Sequence, residues 1–306
     1  MHRTAPLFIY MLSIDITVPP DFSFPECYTF INRSSNECLH FASEYKIRKL
    51  LKVNSKFILI EISERSKNKI SIKFLNTKPD AIELVFVKKS LSEWLDLSFD
   101  LATFYQFASK DKLMKKIASK YSGLRMIGIP DLFEALTWAI IGQQINLSFA
   151  YSLKKKFVEK YGESYTFEDK IYYIYPAAEI ISNLSKDDLL KLQFSKQKAD
   201  YVIEVARSIH YKKISKKDLK NLDLNEAIDI LCEIKGVGNW TANYVMMKCL
   251  RNPDAFPIED VGLHNAIKNT LGLSSKPSIE DIKKLTVNWE GWYAYSTFYL
   301  WRSLIN

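Results

Sequence analysis

The feature that most restricts how this chain can fold is a change of hydrophobic period near residue 90. Before it, apolar residues alternate in the manner of strands at 14–18, 57–62, 69–74 and 82–87, and the polar stretch 63–68 is placed to turn a hairpin. Segment 41–51 fits either a strand or a short helix. After it the period becomes helical, over 91–107, 111–121, 130–141, 147–161, 186–192, 197–209, 225–234, 240–250, 261–271, 279–285 and 292–304. An alternating strand buries one face of a sheet, whereas a 3.6-residue stripe needs helical neighbours. The expected fold is therefore an α+β unit with an antiparallel sheet over 1–100, followed by a mostly α-helical region over 101–306. Pro130, Gly162, Pro257 and Gly272 fall where helices should start or stop.

A chain of 306 residues buries a substantial core, and 47% hydrophobic with 25% charged residues is the balance of a folded globular protein. Its 43 Lys+Arg against 35 Asp+Glu leave a formal charge of +8, which favours a polyanionic partner without proving one. Cys27, Cys38, Cys232 and Cys249 form no pair or cluster, which disfavours a zinc or iron–sulfur site, and they are expected to be reduced and mostly buried. The apolar run 6–12 is too short to span a membrane and no small-residue cleavage signal follows it. The expected address is cytoplasmic, with the nucleoid.

The most informative segment is 231–244, LCEIKGVGNWTANY. An amphipathic helix ends, Gly236, Val237 and Gly238 turn the chain, and a second helix starts at Asn239, Trp240 and Thr241. Glycines tolerate positive φ and close backbone approach, and a fresh helix start presents unpaired amides to an anion, so the turn can cradle a phosphate. A plain Gly-containing helix-helix turn has the same local appearance. Asp260 follows by a short connection, FPIED, and opens the next helix, where an ordinary N-cap aspartate would also sit.

Together these segments resemble the helix-hairpin-helix, Gly/Pro-rich loop and aspartate signature of the HhH-GPD DNA glycosylase superfamily. Within it the sequence is most similar to the 3-methyladenine DNA glycosylase II (AlkA) type, through GVGNWTANY, FPIEDVGLHNAIK, LFEALTWAIIGQQI and the terminal WxxWYAYSTFYLW. The likeness is good from about residue 123 and poor before 90. In that family an N-terminal antiparallel α+β domain precedes the helical region.

The resemblance implies a monofunctional glycosylase of base excision repair that flips an alkylated purine out of double-stranded DNA and hydrolyses its N-glycosidic bond. Such a reaction builds positive charge on the sugar, for which Asp260 is the candidate carboxylate. Strand-nicking members carry a lysine where this chain has Trp240, and an indole cannot form a Schiff base. Trp240, Tyr244 and Trp301 match the family's base-pocket aromatics and suit a cationic base. Trp138, Trp289, Trp292 and Tyr295 are assigned to packing. Gln144 is the candidate plug for the vacated stack, Gln143 its nearest competitor, and a loop-capping glutamine the alternative for either.

No cofactor is required, but the superfamily's hairpin often holds Na+ or K+ through backbone carbonyls, here those of Cys232, Lys235 and Val237. The lysines at 154–156 and 212–217 read as a solvated helix face or loop, with added phosphate contacts as the alternative. Family precedent implies a monomer. Two alternatives stay open on sequence: a glycosylase for another lesion, and a non-catalytic DNA-binding protein in which Asp260 only caps a helix.

Overall fold

The computed structural model describes residues 12–305, so nearly all of the apolar run 6–12 lies outside the described residues. Strand β1 (Ser13–Thr17) leads through helix α1 (Phe24–Ile31) to β2 (His40–Ser43), β3 (Lys46–Val53), β4 (Lys56–Ser66) and β5 (Lys69–Phe74). These form an antiparallel sheet in the order β1-β5-β4-β3-β2. Ile47, Leu51, Ile60, Ile62, Ile70 and Ile72 bury one face in the main core. The ambiguous segment 41–51 is thus the β2–β3 hairpin.

The strand expected over 82–87 is instead the first half of helix α2 (Ala81–Leu95). Asp80 caps it, accepting from the Glu83 amide at 2.8 Å while Glu83 returns a bond to the Asp80 amide, a full capping box. Buried Glu83, Val87, Leu91 and Leu95 recur every four residues, and Ile82 and Val85 are left exposed. Those exposed apolar residues produced the false alternation. The single helix expected over 91–107 is broken at Asp96, whose φ of 51° is left-handed, and resumes as α3 (Leu101–Lys110) under an Asp100 cap.

The rest is mostly helical, as the period predicts. It comprises α4 (Met114–Lys120), α5 (Leu132–Gly142), α6 (Leu147–Tyr161), α7 (Ala178–Ser182), α8 (Lys186–Leu190), α9 (Lys196–His210), α10 (Lys216–Lys220), α11 (Leu224–Cys232), α12 (Asn239–Lys248), α13 (Val261–Leu271), α14 (Ile279–Leu285) and α15 (Tyr293–Arg302). A small hairpin, β6 (Ser164–Phe167) and β7 (Lys170–Tyr173), interrupts it. Tyr172 of that hairpin packs with Leu50, Leu59 and Leu75 on the second face of the large sheet.

Burial passes residue 100 without a break, since one apolar cluster runs from the sheet into α15. Phe30 of α1 meets Phe298 of α15 at 4.5 Å between ring centroids, Arg302 pairs with Glu26 at 2.9 Å, and fully buried Arg125 pairs with Asp21. Lys154 is not the solvated residue its sequence neighbours suggest. It is buried, pairs with Glu37 at 3.0 Å, and has Glu134 at 3.7 Å. Burial alone would push the Glu37 carboxyl up, but the Lys154 ammonium holds it well below the usual range.

Lys154→Met strands two buried carboxylates and should cost about 3–5 kcal/mol in urea unfolding, part of it recovered in the double variant with Glu37→Gln. His40 gives a pH test. Burial pushes its imidazole down to about 4, against about 6.5 in an unfolded chain. The unfolded state then binds the proton more tightly, so stability falls as pH drops from about 6.5 toward 4. The loss should reach about 2 kcal/mol between pH 7 and pH 5, and His40→Gln should remove that part of the slope.

Candidate active site

Helix α11 ends at Cys232, and the chain turns through Gly236, Val237 and Gly238 into α12. The two glycines have different reasons. Gly236 has φ +96°, and a Cβ there would meet the Tyr201 ring at 2.1 Å. Gly238 is the exposed N-cap of α12 and offers no side-chain cap; a Cβ there would meet nothing within 4 Å. Among the described residues the amides of Asn239, Trp240 and Thr241 find no acceptor, which leaves an open helix start of the kind that can receive an anion. Val237 is buried beneath the turn.

The Thr241 side chain turns inward. It is buried and its hydroxyl accepts from Gln143 Nε2 at 3.1 Å, so only its backbone faces the anion site. Gln143 also donates to the Gly236 carbonyl at 3.1 Å and thereby ties the end of α5 to the hairpin. Its neighbour Gln144 is exposed, with a left-handed φ of 56°. The structure thus separates two glutamines that sequence could not: Gln143 is a brace and Gln144 a free projection.

A chain of bonds runs from the hairpin to Asp260. Asn239 donates to Glu259 at 3.2 Å, Asn243 donates to the Asn239 carbonyl at 3.1 Å, and the Phe256 amide donates to Asn243 Oδ1 at 2.9 Å. The loop is closed by the Asp260 amide on the Pro257 carbonyl at 2.9 Å and by His264 Nε2 against the Ile258 carbonyl at 2.7 Å. Asn243 and His264 had no distinguishing mark in the sequence.

Asp260 does cap α13, accepting from the Leu263 amide at 2.7 Å. It also gathers both expected tryptophans. Trp301 Nε1 donates to Oδ1 at 2.8 Å and Trp240 Nε1 to Oδ2 at 3.2 Å. Tyr244 stands between them, its ring centroid 5.6 Å from Trp240 and 5.9 Å from Trp301. A Cβ on Gly262 would lie 2.8 Å from Oδ1 and 3.4 Å from Trp301, so the missing side chain keeps this meeting point open. The arrangement is a half-buried carboxylate ringed by three aromatic side chains, beside a helix start with free amides.

Among the described residues no group of three or more His, Cys, Asp or Glu is placed to hold a metal ion, and no helix is long and apolar enough to cross a membrane. Cys27, Cys38 and Cys249 are buried and free, whereas Cys232 is exposed on the hairpin.

The hairpin, the aspartate that follows it and the aromatic side chains around that carboxylate form one continuous site. The family model for the HhH-GPD superfamily base excision DNA repair protein matches residues 137–290, that for the 8-oxoguanine DNA glycosylase N-terminal domain matches residues 28–136, and the chain belongs to the HhH-GPD superfamily. It is a DNA glycosylase, a hydrolytic N-glycosylase whose partner is DNA. A DNA-3-methyladenine glycosylase of Bacillus subtilis is 41% identical over 293 residues, 95% of this chain and 97% of that protein. In fold the chain is similar to the 3-methyladenine DNA-glycosylase of Archaeoglobus fulgidus, with a TM-score of 0.82 at 22% identity over 94% of this chain and 97% of that one. The 8-oxoguanine glycosylase/lyase of Clostridium acetobutylicum gives 0.74 at 19% identity, covering 95% of each.

The glycines offer a paired test. Gly236→Ala should destabilise the protein by about 2 kcal/mol or more, through the Tyr201 clash and the positive φ. Gly238→Ala should cost no more than about 1 kcal/mol, the N-cap preference for Gly over Ala, yet weaken duplex binding, as read by denaturation and by fluorescence anisotropy on the same samples.

Proposed function

We propose that this glycosylase removes alkylated purines, of the 3-methyladenine type, and leaves the abasic strand intact. The observation that carries the reading is the convergence of the Trp240 and Trp301 indoles on the Asp260 carboxylate, at 3.2 and 2.8 Å. A purine alkylated on the ring carries positive charge and weakens its own glycosidic bond. Electron-rich ring faces favour such a base over a neutral one. The name of the 41% identical relative supports the same substrate.

The chemistry follows from the groups present. As the bond to the base lengthens, charge develops at C1′ of the sugar, and the fixed carboxylate of Asp260 stabilises it without reorganising. Asp260 then orients or deprotonates the attacking water. Three residues of the hairpin support the intact-strand outcome: among the described residues Trp240 stands where a Schiff-base lysine would, exposed Lys235 lies on the turn, and Lys248 is buried against the Ile127 carbonyl. The exposed side chain of Gln144 fills the gap left by the flipped nucleotide. The hairpin amides hold the backbone phosphate, and Na+ or K+ would fit the carbonyls of Cys232, Lys235 and Val237, which accept no backbone bond among the described residues. Such an ion would add a positive charge beside the phosphate.

The direct test is base release from methylated duplex DNA. Wild type should free methylated purines without nicking the strand, and Asp260→Asn should lose at least about 100-fold in rate while keeping duplex binding. Release of neither 3-methyladenine nor 7-methylguanine by wild type would contradict the substrate; borohydride trapping of a protein–DNA adduct would contradict the intact-strand outcome.

A further inference from the structure

Behind Tyr244, between the sheet unit and the helices, lies a cavity of about 230 Å3 whose lining includes Arg33, Trp138, Tyr151, Tyr244 and Lys248. Helix α12 leads into it. Trp240, Tyr244 and Lys248 are spaced four residues apart and share one face. That stripe begins at the residue bonded to Asp260 and ends in the cavity wall. A turn of helix advances roughly 5 Å, so a purine whose sugar stands beside Asp260 and whose ring lies along the stripe brings its far edge to the level of Tyr244.

Arg33 is a charge in that wall answered by no carboxylate, as are Lys49 and Lys248, which rest on the Leu39 and Ile127 carbonyls. The Arg33 guanidinium lies 4.1 Å over the Phe30 ring and 5.6 Å from the Tyr151 ring, and Nη1 donates to the Phe30 carbonyl at 2.7 Å. No carboxylate comes within 4.0 Å of it among the described residues, and Nε and Nη2 have no acceptor there. Lys154 in the same wall is answered by Glu37 and Glu134. Arg33 is therefore oriented by two aromatic faces and one carbonyl, with donors left over. A guanidinium has donors only, so it rewards an acceptor and repels another donor.

Resting on the alkylpurine reading above, we propose that Arg33 reads the far edge of the flipped base and favours purines with an exocyclic oxygen at C6 over those with an amine there. Guanine-type lesions present that oxygen; adenine-type lesions present an N–H donor in its place. Ring charge does not distinguish 7-methylguanine from 3-methyladenine, since both are cationic, whereas this hydrogen bond does. The aromatic recess at Asp260 accepts both, and Arg33 sets their ratio.

One methylated duplex yields both bases, so the ratio of their single-turnover release rates is the readout, and a loss of folded protein lowers both together. Arg33→Met should reduce 7-methylguanine release roughly tenfold or more, the effect of a lost charge-assisted hydrogen bond, with 3-methyladenine changed by less than about threefold. Arg33→Lys, which keeps the charge and loses the fork, should fall between wild type and Arg33→Met, and it carries the test should Arg33→Met not fold. Wild type releasing both bases with a ratio that neither variant changes would overturn the role of Arg33 alone. Wild type releasing neither base would overturn the alkylpurine reading, and this inference with it.

Discussion

Three helices meet at one carboxylate. Asp260 caps α13 through the Leu263 amide, takes the Trp240 indole from α12, and takes the Trp301 indole from α15. Hydrogen bonds to a charged acceptor are worth about 1.5–3 kcal/mol each, more than neutral ones. The same bonds that fix the carboxylate therefore fix the edges of two indoles, and with them the faces that would hold a base. On the proposed function, catalytic group and recognition surface are positioned by one set of contacts. Gly262 is the steric condition for it, since a side chain at that position would press on both Asp260 and Trp301.

The sheet unit contributes to this site from behind. None of the candidate site residues lies on its strands. Yet α1 is held against α15 by the Phe30–Phe298 contact and the Arg302–Glu26 pair, which brings Arg33 to the wall behind Tyr244. The charges in that wall are kept in order by Lys154, whose two carboxylates come from the α1–β2 connection and from α5. A buried ion cluster of this kind adds little net stability but strongly penalises any rearrangement that separates its members.

Much of this was legible in the sequence because local signals agreed with global ones. Helices α6, α13 and α14 end where their period ends, and the GVG turn and the aspartate after FPIE marked the site through the family resemblance they carry together. The failures have local causes. Residues 82–87 alternate because Ile82 and Val85 lie exposed on a helix, and only the Asp80–Glu83 capping box identifies the true state. The break at Asp96 needs a left-handed non-glycine residue, which periodicity does not report. Thr241 and the two adjacent glutamines could not be assigned sides, because which of Gln143 and Gln144 turns inward depends on α5 packing beside a hairpin almost a hundred residues away. Arg33 and Tyr151 carried no motif at all, since they come together only where α1 and α6 line one cavity.

The central claim is electrostatic: the fixed carboxylate of Asp260 stabilises positive charge at the sugar. The most direct measurement is the affinity of the protein for two duplexes that differ at one site, a neutral tetrahydrofuran abasic analogue and a pyrrolidine analogue that is cationic at neutral pH. The account predicts that wild type binds the cationic duplex at least about tenfold more tightly, a difference of about 1.4 kcal/mol, and that Asp260→Asn abolishes the preference while binding the neutral duplex as before. Equal affinity of wild type for the two, or a preference that survives in Asp260→Asn, would contradict it.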